Sequence, residues 1–499
     1  MKKRALFICF AILAVLYGCE PHNEPVNEQT GNDSIAPKDS TVLPPDTITP
    51  PPPPPDPTPD DPSTHRDLAY LFDIEAVPQI KLTLTEADWN TYLSNFDQWE
   101  DNGLYVPAAF EFTKNGVTYT RDSVGLRPRG NTTRRRPESS TGQKHQNGAP
   151  FHRAHFGIRF TKYDTGERFF GMDRIILKWT ATDPSYVREA FSYDLFRRFG
   201  VWSAPLASFC RLTIYIQGDS KPVYMGVYTM IENPRKGWLD ALYHAGKIPD
   251  KDGNLWKAGW GADLSSADQS KMGLQDDYGL RYAYNLKSNK EQLAAAKAEL
   301  CDFINGMTPL KSGSTELQTW LEQHMDVDLF LRAYAVNVMV GMWDDYWKNQ
   351  NNFYFYFDSQ HRFYFVPFDY DNTLGTGQDN YGNPGTDNML TWGSLEGDRI
   401  LMRKVMSINA FKEKYKAYIK QIATSSDLME PAAASARVAH MQSLIRDYIT
   451  NDTGEDNVMQ DRPATWSSCP NYRLLTGGVG NGKNSESNFF KTKAASITW

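Results

Sequence analysis

Cysteine is scarce in this chain: five residues in 499, at positions 9, 19, 210, 301 and 469. An odd number of widely separated thiols builds no disulfide framework, and the spacing is not that of a zinc site. No His partner can be assigned to Cys210, Cys301 or Cys469 from sequence, so thiol catalysis has no support. An excess of positive charge is absent as well. The formal net charge is -7 and the pI is near 5.8, which withholds the basic footprint that binding to a nucleic-acid backbone requires. Internal repeats are missing, and so are long apolar runs outside the first residues. What is present is ample core material, with 40% hydrophobic and 13% aromatic residues, which excludes a disordered or fibrous reading of the whole.

The opening Lys2-Lys3-Arg4, the apolar run Ala5 to Leu16 and the ending Leu16-Tyr17-Gly18-Cys19 read as a signal peptide too short to span as a mature helix. The ending resembles a bacterial lipobox, which makes Cys19 the expected acylated residue and residues 1–19 the export segment. The expected location is the cell envelope, on the outer membrane or cell surface, with the membrane as a partner through the lipid. Cys19→Ser is expected to leave the protein exported but unlipidated, which detergent partitioning and fatty-acid labelling check. Residues 20–66 are polar, acidic and Pro-rich, with Pro50 to Pro55 uninterrupted. Such a stretch buries too little apolar surface to order itself and favours extended polyproline geometry, so it is expected to be a disordered stalk.

The folded part is expected over residues 67–423, followed by a helical extension and polar tail over 424–499. Thr85-Glu-Ala-Asp88 opens a helical pattern with Trp89, Tyr92, Leu93 and Phe96 on one side. Asn115-Gly116 between two strand-like runs is a hairpin signal. Asp183-Pro184-Ser185 reads as a helix start, with a pattern running to a stop at Gly200. Strand-like runs follow at Arg211 to Ile216 and Val223 to Ile231, then a largely apolar helix from about Asp328 to Gly341, and later a helical pattern from Ala432 to Tyr448. The fold class implied is α+β.

The chemistry concentrates after that apolar helix. Trp343-Asp344 and a polar loop lead to Asn352, then Phe353 to Phe357, a polar turn, Phe363 to Phe368, and Asp369-Tyr370-Asp371-Asn372-Thr373. A hairpin closing around Gln360 places Asn352 roughly opposite Asp369, with Asp344 on the loop entering the first strand. Hard cations such as Mg²⁺ take carboxylate and amide oxygens and leave places for phosphates, so Asn352, Asp369 and Asp371 suit a metal–nucleotide. Protein kinases show the same order: a catalytic Asp, a downstream Asn, a hairpin and a metal-binding Asp.

Several motifs in order resemble the CotH-type spore-coat kinase family from about Leu82 to about Gly377. They are Arg127-Pro-Arg129-Gly130-Asn-Thr, Leu177-Lys178 with Asp183-Pro-Ser-Tyr-Val-Arg188-Glu189, Gly226-Val-Tyr-Thr-Met-Ile-Glu232, Gly253-Asn-Leu-Trp-Lys257, and the Asp344 to Asp371 segment itself. The resemblance implies an atypical protein-kinase-like fold, a mixed-sheet lobe plus a helical lobe, that transfers phosphate from ATP with Mg²⁺ or Mn²⁺ to Ser or Thr of an exported protein. It implies Asp344 as catalytic base, Asn352, Asp369 and Asp371 at the metal, and Arg129, Gly130, Lys178, Glu232 and Lys257 at the nucleotide. The family's Lys-Lys strand after the R-G-N loop is replaced here by Phe151-His-Arg153-Ala-His-Phe156, so Arg153 is expected to stand in for a phosphate-pairing Lys. Two other readings compete: a kinase-like surface module that binds polypeptide or glycan, and a glycosidase using Asp344 and Asp369.

Overall fold

The computed structural model describes residues 66–98, 104–181, 183–275, 282–377, 381–393, 399–460 and 488–499. The export segment with Cys19, the Pro-rich stretch to residue 65, and Cys469 lie outside the described residues.

Alternation builds the first half. In β1 (Gln79–Leu84) every second residue is buried, the period of a strand with one face in a core. One helical turn, α1 (Leu68–Leu71), precedes it and α2 (Glu86–Gln98) follows. The Asp88 amide donates to Thr85 Oγ1 at 3.0 Å, and Trp89, Tyr92 and Leu93 are buried. β2 (Val106–Lys114) and β3 (Val117–Arg129) turn back through Asn115 and Gly116 at φ 51° and 80°, the left-handed pair that a tight two-residue hairpin needs. β4 (His155–Arg159), β5 (Arg174–Lys178), β6 (Ala207–Ile216) and β7 (Val223–Glu232) complete a closed barrel in the order β1-β2-β3-β4-β5-β7-β6, sealed by parallel pairing of β1 with β6.

Between β5 and β6 lies α3 (Arg188–Arg198). It starts at Arg188, four residues later than the Asp183-Pro184-Ser185 signal suggests with Pro184 as the opening residue. Tyr186 at φ 68° cannot continue a helix, and Asp183 instead accepts from the amides of Ser185 and Arg188, each at 3.0 Å. Asp183 therefore fastens the loop and pairs with the Arg188 guanidinium.

The second half is a five-stranded sheet backed by helices. After α4 (Lys236–His244) the strands are β8 (Asn254–Ala258), β9 (Met272–Gly273), β10 (Tyr284–Leu286), β11 (Phe353–Phe357) and β12 (Phe363–Pro367), in the order β12-β11-β8-β10-β9. α5 (Leu293–Met307), α6 (Thr315–His324) and α7 (Val327–Val340) come before the β11–β12 hairpin; α8 (Ile400–Ser407), α9 (Asn409–Thr424), α10 (Pro431–Ile445) and α11 (Phe489–Ala495) come after it. Twelve of the fourteen residues of α7 are buried, and Gly341 at φ 70° ends it, the usual left-handed helix stop.

The segment beyond Thr424 is fastened to the elements before it. Arg437 pairs with Asp194 of α3 at 3.3 Å, Glu455 pairs with Arg135 at 2.7 Å, and the Phe490 ring lies 5.4 Å from Phe191.

Candidate active site

The end of β5, the first turn of α3 and the mouth of the β11–β12 hairpin meet at one place. Lys178, the last residue of β5, has its Nζ 2.9 Å from Glu189 Oε2 and 3.1 Å from Asp371 Oδ2, and it also bonds Asp369. Oxygens of Glu189, Asp369 and Asp371 all lie within 4.8 Å of one another. Phe353 pairs with Pro367, so Asn352 and Asp369 sit just beyond the last rung of the hairpin. Both leave it at positive φ, 53° and 68°, a region Asn and Asp tolerate better than other side chains. The Asp369 amide is fixed by donating to the Tyr193 hydroxyl at 2.9 Å.

Burial pushes up the Glu189 carboxyl to about 8 and the Asp371 carboxyl to about 6, and their carboxylate neighbours add to it against the pull of Lys178. Burial acts on Asp369 in the same direction, yet the Lys178 ammonium holds that carboxyl below its ordinary value. Crowded negative charge balanced by one ammonium is a site with room for more positive charge. The donors are oxygens only, so the set fits a hard divalent cation.

Asp344 stands on the loop after α7. Its Oδ1 accepts from Asn349 Nδ2 at 2.6 Å and its Oδ2 from Asn352 Nδ2 at 2.9 Å. Burial raises its pKa, those amides lower it, and Asp369 raises it further, which places the two carboxylates in the same field. The neighbouring Asp345 is a structural group, accepting from the Lys348 amide at 2.8 Å and from Asn337.

The other residues singled out from sequence divide. Lys257 lies opposite Tyr354 in the sheet, with Nζ 5.8 Å from the Phe368 ring, and it helps hold Asp369 ionised. Arg129 pairs in register with His155. Gly130 has φ 107°, and a Cβ there would meet His155 Cδ2 and Arg134 Cα at 3.0 Å, so glycine is required twice over. His155 is buried, its Nε2 lies 2.9 Å from Thr133 Oγ1, and its Nδ1 has no hydrogen-bond partner among the described residues. Burial and then Lys178 keep the ring neutral, well below the ordinary histidine value.

Glu232 stands apart. It pairs with Ile175 on β5, three residues from Lys178 and hence on the opposite side of the strand. Its Oε2 accepts the Leu206 amide at 3.0 Å, so it braces the barrel and does not reach the carboxylate cluster. Burial lifts its pKa from 4.5 to about 7. The group is neutral in folded and unfolded chains below about 4.5, and the stability this gives is lost as pH rises through 7. Glu232→Gln, which keeps an acceptor for Leu206, should therefore stabilise the fold at pH 8 by on the order of 2–3 kcal/mol and have little effect at pH 4.5. Thermal melts at the two pH values check this.

Arg153 is also corrected. It is fully buried, donates to the Tyr186 hydroxyl at 3.1 Å, lies 5.3 Å from the Tyr228 ring centre and pairs with Asp456 at 3.5 Å. Its guanidinium locks the C-terminal segment to the barrel and does not replace a phosphate-pairing lysine. The residue that the sequence reading passed over is Glu189, quoted only as part of a motif. A Lys ending a strand and a Glu in the first turn of the next helix were the available signal.

Over 310 aligned residues the chain is 22% identical to the spore coat protein homolog 1 of Rhizopus delemar, an alignment covering 61% of this chain. The chain spans about half of that protein, 47% of its length. Residues 126–473, which contain every side chain of the centre just described, match the family described as CotH kinase protein, and the chain belongs to that family.

Proposed function

We propose that this chain is an exported phosphotransferase that moves the γ-phosphoryl group of ATP to a Ser or Thr hydroxyl of another envelope or surface protein. The observation that carries the reading is Lys178, held 2.9 Å from Glu189 beside Asp369 and Asp371. Phosphoryl transfer is mostly positioning and charge neutralisation, and kinases require a strand Lys ion-paired to a helix Glu next to a metal-binding Asp. Membership of the kinase family supports the same reading.

Asp369 and Asp371, with Asn352 at the mouth, would hold Mg²⁺ or Mn²⁺, which when bound supplies charge neutralisation to the phosphates. Glu189 orients Lys178 toward phosphate oxygens. Arg129 and the Gly130 turn close over the phosphates, and the unpartnered His155 Nδ1 offers a further donor when Nε2 accepts from Thr133. Asp344, oriented by Asn349 and Asn352, takes the proton of the acceptor hydroxyl as its oxygen bonds to phosphorus and ADP leaves. A glycosidase needs a carboxylate pair flanking a sugar; an Asp369 tied to Lys178 does not serve that purpose.

The location rests on the Leu16-Tyr17-Gly18-Cys19 signal, with the lipid at Cys19 as the membrane contact. The test is incubation of the purified protein with γ-labelled ATP and Mg²⁺ or Mn²⁺. Label on the protein or on an added Ser-rich acceptor is expected; no transfer with either metal would leave the surface-binding reading in its place.

A further inference from the structure

The sheet face that carries Lys178 continues well past it. β3 and β4 pair Arg129 with His155, Arg127 with Gly157, and Gly125 with Arg159; β4 and β5 then pair Gly157 with Ile176 and Arg159 with Arg174. Side chains alternate along strands, so Arg127, Arg129, Arg159, Arg174 and Lys178 all stand on one face. The opposite face carries Leu126, Phe156, Ile158, Ile175 and Leu177, all buried in the core. Gly125 and Gly157 keep the cationic face low: a Cβ at Gly157 would come within 2.9 Å of the Arg129 side chain, and one at Gly125 within 2.8 Å of Tyr105. Arg174 is four residues from Lys178, about 13 Å along the strand.

At the Arg174 end is a cavity of about 230 Å³. Its wall holds four cations, Arg159, Arg168, Arg174 and Lys236, with the hydroxyls of Thr161 and Thr165 and one carboxylate, Asp173. That carboxylate is occupied: it accepts the Gly237 amide at 3.0 Å and lies 3.2 Å from Arg174 Nε. Arg168 is engaged by Asp240 at 2.8 Å. Arg159 bonds Thr161 Oγ1 at 3.2 Å, and among the described residues neither it nor Lys236 meets a carboxylate. Positive charge therefore exceeds negative charge in a solvent-open cavity with hydroxyl donors at hand. The neighbouring Tyr105 phenol registers the same field. Burial pushes it up, yet Arg127, Arg174, Arg159 and Arg235 together hold it below the ordinary tyrosine value.

We propose that this cavity is a second oxyanion subsite, separate from the carboxylate centre, that takes a phosphoryl group between Arg159, Arg174 and Lys236. Guanidinium and ammonium groups on a common wall suit a tetrahedral dianion, which each can meet with charge-assisted hydrogen bonds. A triphosphate anchored at Asp369 is too short to put one of its own phosphorus atoms at this distance. The phosphoryl group then belongs either to a longer phosphoanhydride chain lying along the cationic face or to a separate phosphate-bearing ligand.

The test is calorimetry on the full chain without divalent metal, using inorganic phosphate and long-chain polyphosphate. Phosphate should bind, weaken at least about tenfold in Arg159→Gln or Lys236→Gln, and keep its affinity in Asp369→Ala. Lys236 is exposed and begins α4, so its variant should fold, which a melt verifies. Competition assigns the source. Polyphosphate binding displaced by ATP with Mg²⁺ marks an extended donor, whereas phosphate and ATP binding together marks a separate ligand. Absence of phosphate binding in wild type, or binding lost in Asp369→Ala and spared in Lys236→Gln, overturns the subsite.

Discussion

The Asp344→Ala protein is expected to bind metal–nucleotide within a few-fold of wild type while phosphoryl transfer falls by about 10²–10⁴-fold, the range a positioned general base contributes. The separation follows from the geometry. Asp344 is held by the amides of Asn349 and Asn352 on the loop after α7, whereas Lys178 bonds Glu189, Asp369 and Asp371 from the barrel side. Removing Asp344 frees the side-chain amides of Asn349, Asn351 and Asn352 but leaves the carboxylate cluster intact. Initial rates with γ-labelled ATP, set beside calorimetric affinities for the same preparations, read the two effects independently. A parallel fall in binding and transfer would assign Asp344 to the nucleotide site.

Lys178→Met should produce the largest change in stability. Lys178 and Glu189 are 13% and 7% exposed, and removing one partner of a buried pair costs about 3 kcal/mol, part of which Glu189, already pushed up to about 8, recovers by holding a proton. Asp369 and Asp371, about a third exposed, add less because water screens them. The variant should melt well below wild type in chelator and regain much of the loss with Mg²⁺ or Mn²⁺, because a cation then replaces the ammonium among the three carboxylates. Melting curves with and without metal decide it. Metal-insensitive melting of the variant would mean the cluster is an ion-pair network alone.

The site was legible where its residues are close in sequence. The hairpin, its aromatic strands and the Asp344, Asn352 and Asp369 order all lie within thirty residues, and period-2 patterning fixes them locally. The Asn115-Gly116 turn and the apolar α7 helix emerged for the same reason. Partnerships across long separations did not. Lys178 meets Asp369 across 191 positions and Arg153 meets Val227 across 74, and no local pattern encodes either. Glu232 resembled a site residue by its motif, yet the β5–β7 register turns it to the other side of the strand. The barrel was equally hidden, since parallel closure of β1 on β6 joins Gln79 to Arg211. The start of α3 was misplaced because Asp183-Pro184-Ser185 is a good helix signal, and only the left-handed Tyr186 and the buried Arg188 ion pair show that it is a loop clamp.

Under the proposed function, Asp369 and Asp371 hold a divalent cation through which nucleotide binds beside Lys178. Titration of ATP into wild type and Asp369→Ala, each with chelator and with Mg²⁺ or Mn²⁺, tests it most directly. Binding by wild type only when metal is present, and none by Asp369→Ala under either condition, is the result expected. Wild type that binds no nucleotide with either metal, or an Asp369→Ala protein that binds as wild type does, would contradict it.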